Sequence, residues 1–342
     1  MATDKITFDP EDRKQFVAIR ERLHGECRLG GSDVGTAAGQ NKWKSRRRFY
    51  EELTGGVAAP DISTKQSVKD GILCEALVAK KFEERTGKKV HRVNAIQTSA
   101  EAPHLFASID RKVENEDAGL ECKTANGLNW EAFKGGRLPD SYVKQIKTYM
   151  KVTGYRTWYA YVWVMGCAEY CYVFTLDEME KPAWCDTIVR LTQMELDECE
   201  DIAAEFFDRY VTPRNPPECD GSADEADVLK ELFPEADARV GSVTLTETTE
   251  ADLDRIEAMN RAIKAEEAEI ERIENKIKGE LGEAAEGVVG SRRVTWKNNK
   301  ASEKTDWKAV CADMEPPAEV VRAHTRVVPG ARVLRIGKAK AA

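Results

Sequence analysis

A chain of 342 residues with 42% hydrophobic and 33% charged side chains is long enough for one large domain or two, and for a substantial buried core. No apolar run approaches the roughly 18 residues of a membrane span, and the polar start MATDKITFDPEDRK lacks the apolar stretch of a secretion signal, so a cytoplasmic protein with no membrane partner is expected. The net charge of −8 is uneven, with 28 Lys and Arg against 26 Asp and Glu in residues 1–180 and 24 against 34 in residues 181–342, so the total does not exclude a polyanionic partner.

In chain order, residues 11–23 and 44–53 read as helices on either side of a glycine-rich turn, RLGGSDVGTAAGQNKW. A third helix runs from about Asp70 to Arg85 and stops at Gly87. Strands follow at Lys89 to Val93, Leu105 to Val113 and Leu120 to Thr124, the last two joined by the polar turn ENEDAG as an antiparallel hairpin. A helix capped by Asp140 continues through SYVKQIKTYMKV to Gly154, and two strands rich in aromatic and β-branched residues, RTWYAYVWVM and EYCYVFTL, flank a turn at Gly166. This order indicates a mixed α/β (α+β) domain over residues 1–210. Residues 211–245 read as a Pro-rich acidic linker, and residues 246–342 as an extension. Ile256, Ile263, Ile270 and Ile277 mark a long amphipathic helix there, from about 249 to 281. Glu266 and Glu280 interrupt its second seam, which favours packing against its own chain over a dimer zipper. The strand-like SRRVTWKNN and ARVLRIGK are expected to form a small sheet with it. The nine cysteines are odd in number and scattered, which fits free thiols rather than disulfides or a zinc site.

One stretch carries chemistry. In Gly119-Leu120-Glu121-Cys122-Lys123-Thr124 the alternation of a strand puts Glu121 and Lys123 on one face and Leu120 and Cys122 on the other. Alone, the pair reads as an exposed ion pair of little value. Two further acids change the weighing: Asp110 ends the apolar run of LFASID, where hairpin pairing brings it beside Glu121, and Glu75 stands on a helix face with Ile72, Ala79 and Phe82. Carboxylates from a strand pair and a helix, with a lysine in reach, suit a hard cation and phosphodiester hydrolysis.

Asp110, ten intervening residues and then Glu121-Cys122-Lys123 resemble the D…ExK signature of the PD-(D/E)xK nucleases, a restriction-endonuclease-like fold with a central mixed sheet flanked by helices. LGGSDVGTAAGQNKWKS, GILCEALVAKKFEERTG, ASID, LECKT and LPDSYVKQIKTYMKVTG, in that order, are similar to the lambda-exonuclease or YqaJ-type viral recombinase family. The resemblance implies Asp110, Glu121 and the Cys122 carbonyl as ligands of Mg²⁺, with Mn²⁺ as an alternative. It adds Glu75 directly or through a water, Lys123 as catalytic lysine, and Gln145 beside the site and the DNA. It also implies Ser32, and Arg28 at a spacing that departs from the family's, in a 5′-phosphate pocket. Whether GGSDVG is instead a capped helix entry stays open.

The run Lys42, Trp43, Lys44, Arg46, Arg47, Arg48 reads as one wall of a DNA path or as a solvated helix face, and Lys144, Lys147 and Lys151 as a second wall. The function implied is a metal-dependent 5′→3′ exonuclease on linear duplex DNA, encoded by a phage or prophage in a bacterial host. It would leave 3′ strands for a single-strand annealing protein and work as a homo-oligomer, a trimeric ring in the family. Alternatives are a structure-specific endonuclease, a Cas4- or RecB-like nuclease, and a non-catalytic DNA-binding assembly protein.

Overall fold

The computed structural model describes residues 3–61, 64–125, 133, 136–237, 239–327, 330 and 334–336. Among them the chain forms two compact units, Met1–Phe233 and Pro234–Ala342.

The first unit opens with β1 (Thr3–Thr7), α1 (Arg13–Gly25), β2 (Leu29–Gly30) and α2 (Gly31–Ala37), then α3 (Arg46–Thr54) and α4 (Gln66–Thr86). Five strands follow: β3 (Val90–Arg92), β4 (Ala95–Ser99), β5 (Ala102–Ser108), β6 (Arg111–Val113) and β7 (Ala118–Ala125). The unit is completed by α5 (Asp140–Thr153), β8 (Thr157–Val164), β9 (Ala168–Thr175), β10 (Thr187–Arg190), α6 (Gln193–Phe206) with a π turn after it, and α7 (Ala223–Leu232). One sheet has the order β1-β4-β5-β2 and the other β10-β9-β8-β7-β6-β3. β7 and β8 are parallel, as a crossover through α5 requires, whereas β8 and β9 are antiparallel across the Gly166 turn.

Alternation along β8 builds both halves of the core. Trp158, Ala160, Val162 and Val164 pack on the side of α5 with Ile146, Tyr149 and Met150. Tyr159 and Tyr161 pack on the side of α4 with Val78, Ala79 and Phe82. Gly119 on β7 has a steric reason: a Cβ there would lie 2.4 Å from the Trp158 ring, whose centroid is 5.4 Å from that of the tilted Tyr149 ring.

The segment expected as one strand, Leu105 to Val113, is two. β5 pairs with β4 and β2 in the first sheet, and β6 pairs with β7 and β3 in the second, so the bend at Ile109-Asp110 carries the chain from sheet to sheet. Asp110 therefore lies at the split between sheets rather than opposite Glu121 in a ladder. The α5 cap also moves one residue, to Pro139, with Asp140 in the first turn at the positive end of the helix dipole. In the region expected as linker, α7 docks through Asp224 and Glu231, which pair with Arg48, and the compact unit continues to Phe233.

In the second unit α8 spans Glu247–Leu281 with no buried residue. Ile263 and Ile270 are 54% and 56% exposed, so the expected packing of its seam is not seen among the described residues. Acids at Glu266 and Glu280 break the second seam, beside Met259 and Ile273, and leave the isoleucine seam as a narrow stripe. β11 (Glu286–Val289) and β12 (Arg292–Thr295) form an antiparallel hairpin, followed by α9 (Trp307–Met314) and α10 (Ala318–His324). SRRVTWKNN thus pairs with its neighbour 286–289, not with ARVLRIGK, most of which lies outside the described residues. No helix of the described residues is long and apolar enough to cross a membrane.

Candidate active site

Pairing between β6 and β7 ends at Arg111 and Leu120, so beyond Leu120 one edge of β7 is open. Asp110 fills it: its Oδ2 accepts the Cys122 backbone N–H at 2.9 Å. The N–H and C=O of a strand residue leave by the same edge, which turns the Cys122 carbonyl toward Asp110 as well. The Cys122 thiol packs with the α4 half of the core, as the alternation predicts.

Glu121, 2% exposed, points to α5. Its Oε1 lies 2.6 Å from Lys123 Nζ and accepts from Gln145 Nε2 at 2.8 Å, while Gln145 Oε1 accepts from Lys123 at 3.1 Å. Gln145 Nε2 also donates to Tyr149 Oη at 2.8 Å, and Lys123 Nζ sits 4.6 Å over the Tyr142 ring. Four of the five expected residues, Asp110, Glu121, Lys123 and Gln145, are therefore brought together.

The charges are unbalanced there. Burial, then the charges of Glu121 and Glu75, raise the Asp110 carboxyl well above its usual range despite the opposing Lys123 and the Cys122 N–H. Burial would lower the Lys123 ammonium, but Glu121, Tyr142 and Asp110 outweigh it and hold the group above its ordinary value. Glu121 Oε2 is buried with no hydrogen-bond partner, which costs about 1–3 kcal/mol or more for a charged group. Two carboxylates with one bare oxygen, beside a peptide carbonyl, are oxygen donors that fit a hard divalent cation.

Glu75, expected at the metal directly or through a water, has a partner of its own in the structure. Its carboxylate pairs with the Arg111 guanidinium, and among the described residues no group of three His, Cys, Asp and Glu side chains is gathered closely enough to hold a metal. The candidate oxygen donors are Asp110, Glu121 and the Cys122 carbonyl, and Glu75 acts on Asp110 through its charge. The expected apolar face is also partial, since Ile72 is exposed while Val78, Ala79 and Phe82 are buried.

Lys123 and Gln145 open into a cleft of about 880 Å³, whose lining also includes Ser32, Lys42, Trp43, Arg137 and Tyr142. Trp43 is 82% exposed. Ser32 faces the cleft because its neighbour is fixed: buried Asp33 accepts from Arg20 at 2.8 Å and from the Gly30 N–H at 3.0 Å, and lies 3.0 Å from His24 Nε2. Burial alone would raise Asp33; Arg20 and His24 outweigh it and hold the carboxyl below its usual range. GGSD is thus a capped helix entry and a cleft wall at once.

The remaining basic residues are turned elsewhere. Arg28 lies outside the cleft, 3.5 Å from the Leu105 carbonyl oxygen and 4.0 Å from Glu26. Lys44 pairs with Glu52, Arg47 with Glu51, and Arg48 with Asp224 and Glu231, while Arg46 lies 6.0 Å over Tyr210 in a separate small cavity. Lys144, Lys147 and Lys151 face α6, pairing with Glu198, Glu195 and Asp197 at 2.7, 2.9 and 2.8 Å, so they do not form the expected second wall.

The YqaJ-like viral recombinase domain family matches residues 15–156, and the protein YqaJ of Bacillus subtilis (strain 168) is 30% identical over 271 residues, covering 79% of this chain and 80% of that protein. The chain belongs to the YqaJ-like viral recombinase family. Solved structures similar to it include the alkaline exonuclease LHK-Exo from Laribacter hongkongensis, at 18% identity and a TM-score of 0.44 over 64% of this chain and 95% of that one. LHK-Exo in complex with dAMP matches at 17% identity and 0.43 over 61% and 95%. The YqaJ-like domain contains all of Glu75, Asp110, Glu121, Lys123 and Gln145.

Sequence reasoning missed four residues of this site: Tyr149, Tyr142, Arg111 and Arg137. Tyr149 had a signal, standing four residues after Gln145 and so on the same helix face. Arg111 had only its adjacency to Asp110, and Arg137 had none.

Proposed function

We propose that this chain is a metal-dependent 5′→3′ exonuclease acting on linear double-stranded DNA and leaving 3′ single strands. The observation that carries the reading is Glu121: one oxygen is held by Lys123 and Gln145, the other is buried without a hydrogen-bond partner, its charge acts on Asp110, and the lysine opens into the cleft. Family membership and the oxygen donor set support it.

Asp110, Glu121 and the Cys122 carbonyl would hold Mg²⁺, with Mn²⁺ as the alternative. When bound, the cation supplies positive charge at the phosphoryl group and makes a water acidic enough to attack near neutral pH. Lys123 offsets charge growing on the phosphoryl oxygens, and Gln145 keeps Lys123 and Glu121 in register. Water oxygen bonds to phosphorus and the P–O3′ bond breaks, so the released nucleotide keeps its 5′-phosphate and gains a 3′-hydroxyl. The shortened strand again begins with a 5′-phosphate, which Ser32, a residue of the cleft wall, would receive. Trp43 stands where an end could stack or be wedged. A homo-oligomeric ring, trimeric as in the family, and a single-strand annealing partner belong to the same proposal.

The test compares end-labelled linear duplexes, with and without 5′-phosphates, and a closed circle, in Mg²⁺ and in chelator. Loss of 5′ label as mononucleotides from the linear duplex, dependent on Mg²⁺, with the circle intact, is the expected result. Equal cutting of circle and linear DNA, or cutting that persists in chelator, overturns the reading.

A further inference from the structure

We propose that the β11–β12 hairpin and the segment after it, residues 287–308, form a separate binding surface for single-stranded nucleic acid. The acidity of the C-terminal half stops abruptly: residues 181–286 hold 12 Lys and Arg against 29 Asp and Glu, whereas residues 287–342 hold 12 against 5. Within 287–308 there are six basic residues, Arg292, Arg293, Lys297, Lys300, Lys304 and Lys308, and two acidic ones.

The structure leaves this charge available. Arg293 pairs with Glu286 across the hairpin, but among the described residues Arg292, Lys297, Lys300, Lys304 and Lys308 have no ion-pair partner. Two indoles are interleaved with them, Trp296 at 51% and Trp307 at 70% exposure. The backbone under the platform is anchored: the Trp296 backbone N–H donates to the Ala285 carbonyl at 2.9 Å, and a Cβ on Gly287 would lie 2.9 Å from Leu281 Cδ2, so the hairpin backs onto the end of α8.

Unpaired cations bind phosphates by releasing counterions, without regard to sequence. Exposed indoles add a term that a duplex cannot use, because its base faces are already stacked on one another. A single strand offers both phosphates and open base faces, and that combination selects it over duplex DNA or an acidic protein surface. Binding there needs no cleavage, so the inference stands apart from the nuclease reading; under that reading the natural ligand is the 3′ strand left by digestion.

The test uses the full chain in chelator, with fluorescence anisotropy of labelled dT20, rU20 and a 20-base-pair duplex at several salt concentrations. Trp296→Ala with Lys297→Ala and Lys300→Ala should weaken dT20 binding about tenfold or more and reduce the steepness of its salt dependence by about 1.4, from two lost phosphate contacts. Duplex binding should change less than about threefold, as for contacts made at a different site. These side chains are exposed, and an unchanged thermal midpoint will show that the variant folds. A preference for dT20 over rU20, or the reverse, identifies the sugar of the natural strand, and either supports the surface. A variant that binds dT20 as tightly as wild type, or that loses duplex binding in equal measure, overturns it, whatever the outcome of the cleavage assay.

Discussion

The lysines of α5 and the cations after β12 look alike in sequence and differ in what faces them. Lys144, Lys147 and Lys151 each meet a carboxylate of α6, supplied by Glu198, Glu195 and Asp197. Lys297, Lys300 and Lys304 meet none among the described residues. A run of basic residues therefore measures charge but not availability, which depends on the acids that folding brings opposite. The same contrast holds among the acids. Asp33 has Arg20, His24 and a backbone N–H around it, whereas Glu121 keeps one oxygen bare and Asp110 is held toward its neutral form. A fully partnered charge stabilises the fold, and an incompletely partnered one is ready for a ligand.

This division can be tested from both sides. Lys123 is a paired cation that also opens into the cleft, and Lys123→Ala should lower cleavage by about 10²–10³ or more while duplex affinity stays within about threefold. Single-turnover kinetics beside a binding titration will separate the two, and normal cleavage would remove Lys123 from the chemistry. Asp33→Asn should destabilise by about 3 kcal/mol at neutral pH, because it strands Arg20 in a partly buried site. Since folding lowers the Asp33 pKa below its ordinary 3.8, that difference should be constant above about pH 5 and close as the pH falls below 3.8. Denaturant melts at several pH values check the sign; a gap that widens in acid would contradict it.

Gly31→Ala probes how the entry to α2 supports the site, because a Cβ there would lie 2.5 Å from Tyr149 Cε1 and 3.0 Å from the Gln145 carbonyl oxygen. The expected cost is about 1–3 kcal/mol, with turnover falling more than DNA affinity. If Glu121 Oε2 awaits a cation, Mg²⁺ should stabilise the wild-type chain by about 1–3 kcal/mol and Glu121→Gln hardly at all, as thermal melts with and without chelator will show. The smallest effect is expected for Lys144→Ala with Lys147→Ala and Lys151→Ala. These pairs face α6, so the steepness of salt dependence in duplex binding should change by less than about 1, although the thermal midpoint drops. A change of about 3 would return these lysines to the DNA path.

Much of this was legible from the chain alone. Alternation in GLECKT put Glu121 and Lys123 on one face, the apolar run before Asp110 and the D…ExK spacing supplied its partner, and the resemblance to the family, rather than any local pattern, pointed to Gln145. The aromatic strands, the Gly stops of α4 and α5 and the long α8 follow from local periodicity and backbone preference. Such features depend on residues a few positions apart, and short-range rules reach them.

Tertiary structure decided what lies between distant segments. It broke 105–113 at Asp110 between two sheets, engaged Glu75 with Arg111, turned the α5 lysines to α6, docked α7 on Arg48 and left one oxygen of Glu121 without a donor. Each outcome depends on which groups meet across 12 or more intervening residues, or on which are buried away from water. Periodicity assigns a side chain to a face; only packing determines what stands opposite it, and the electrostatics of a buried charge are set by that neighbour.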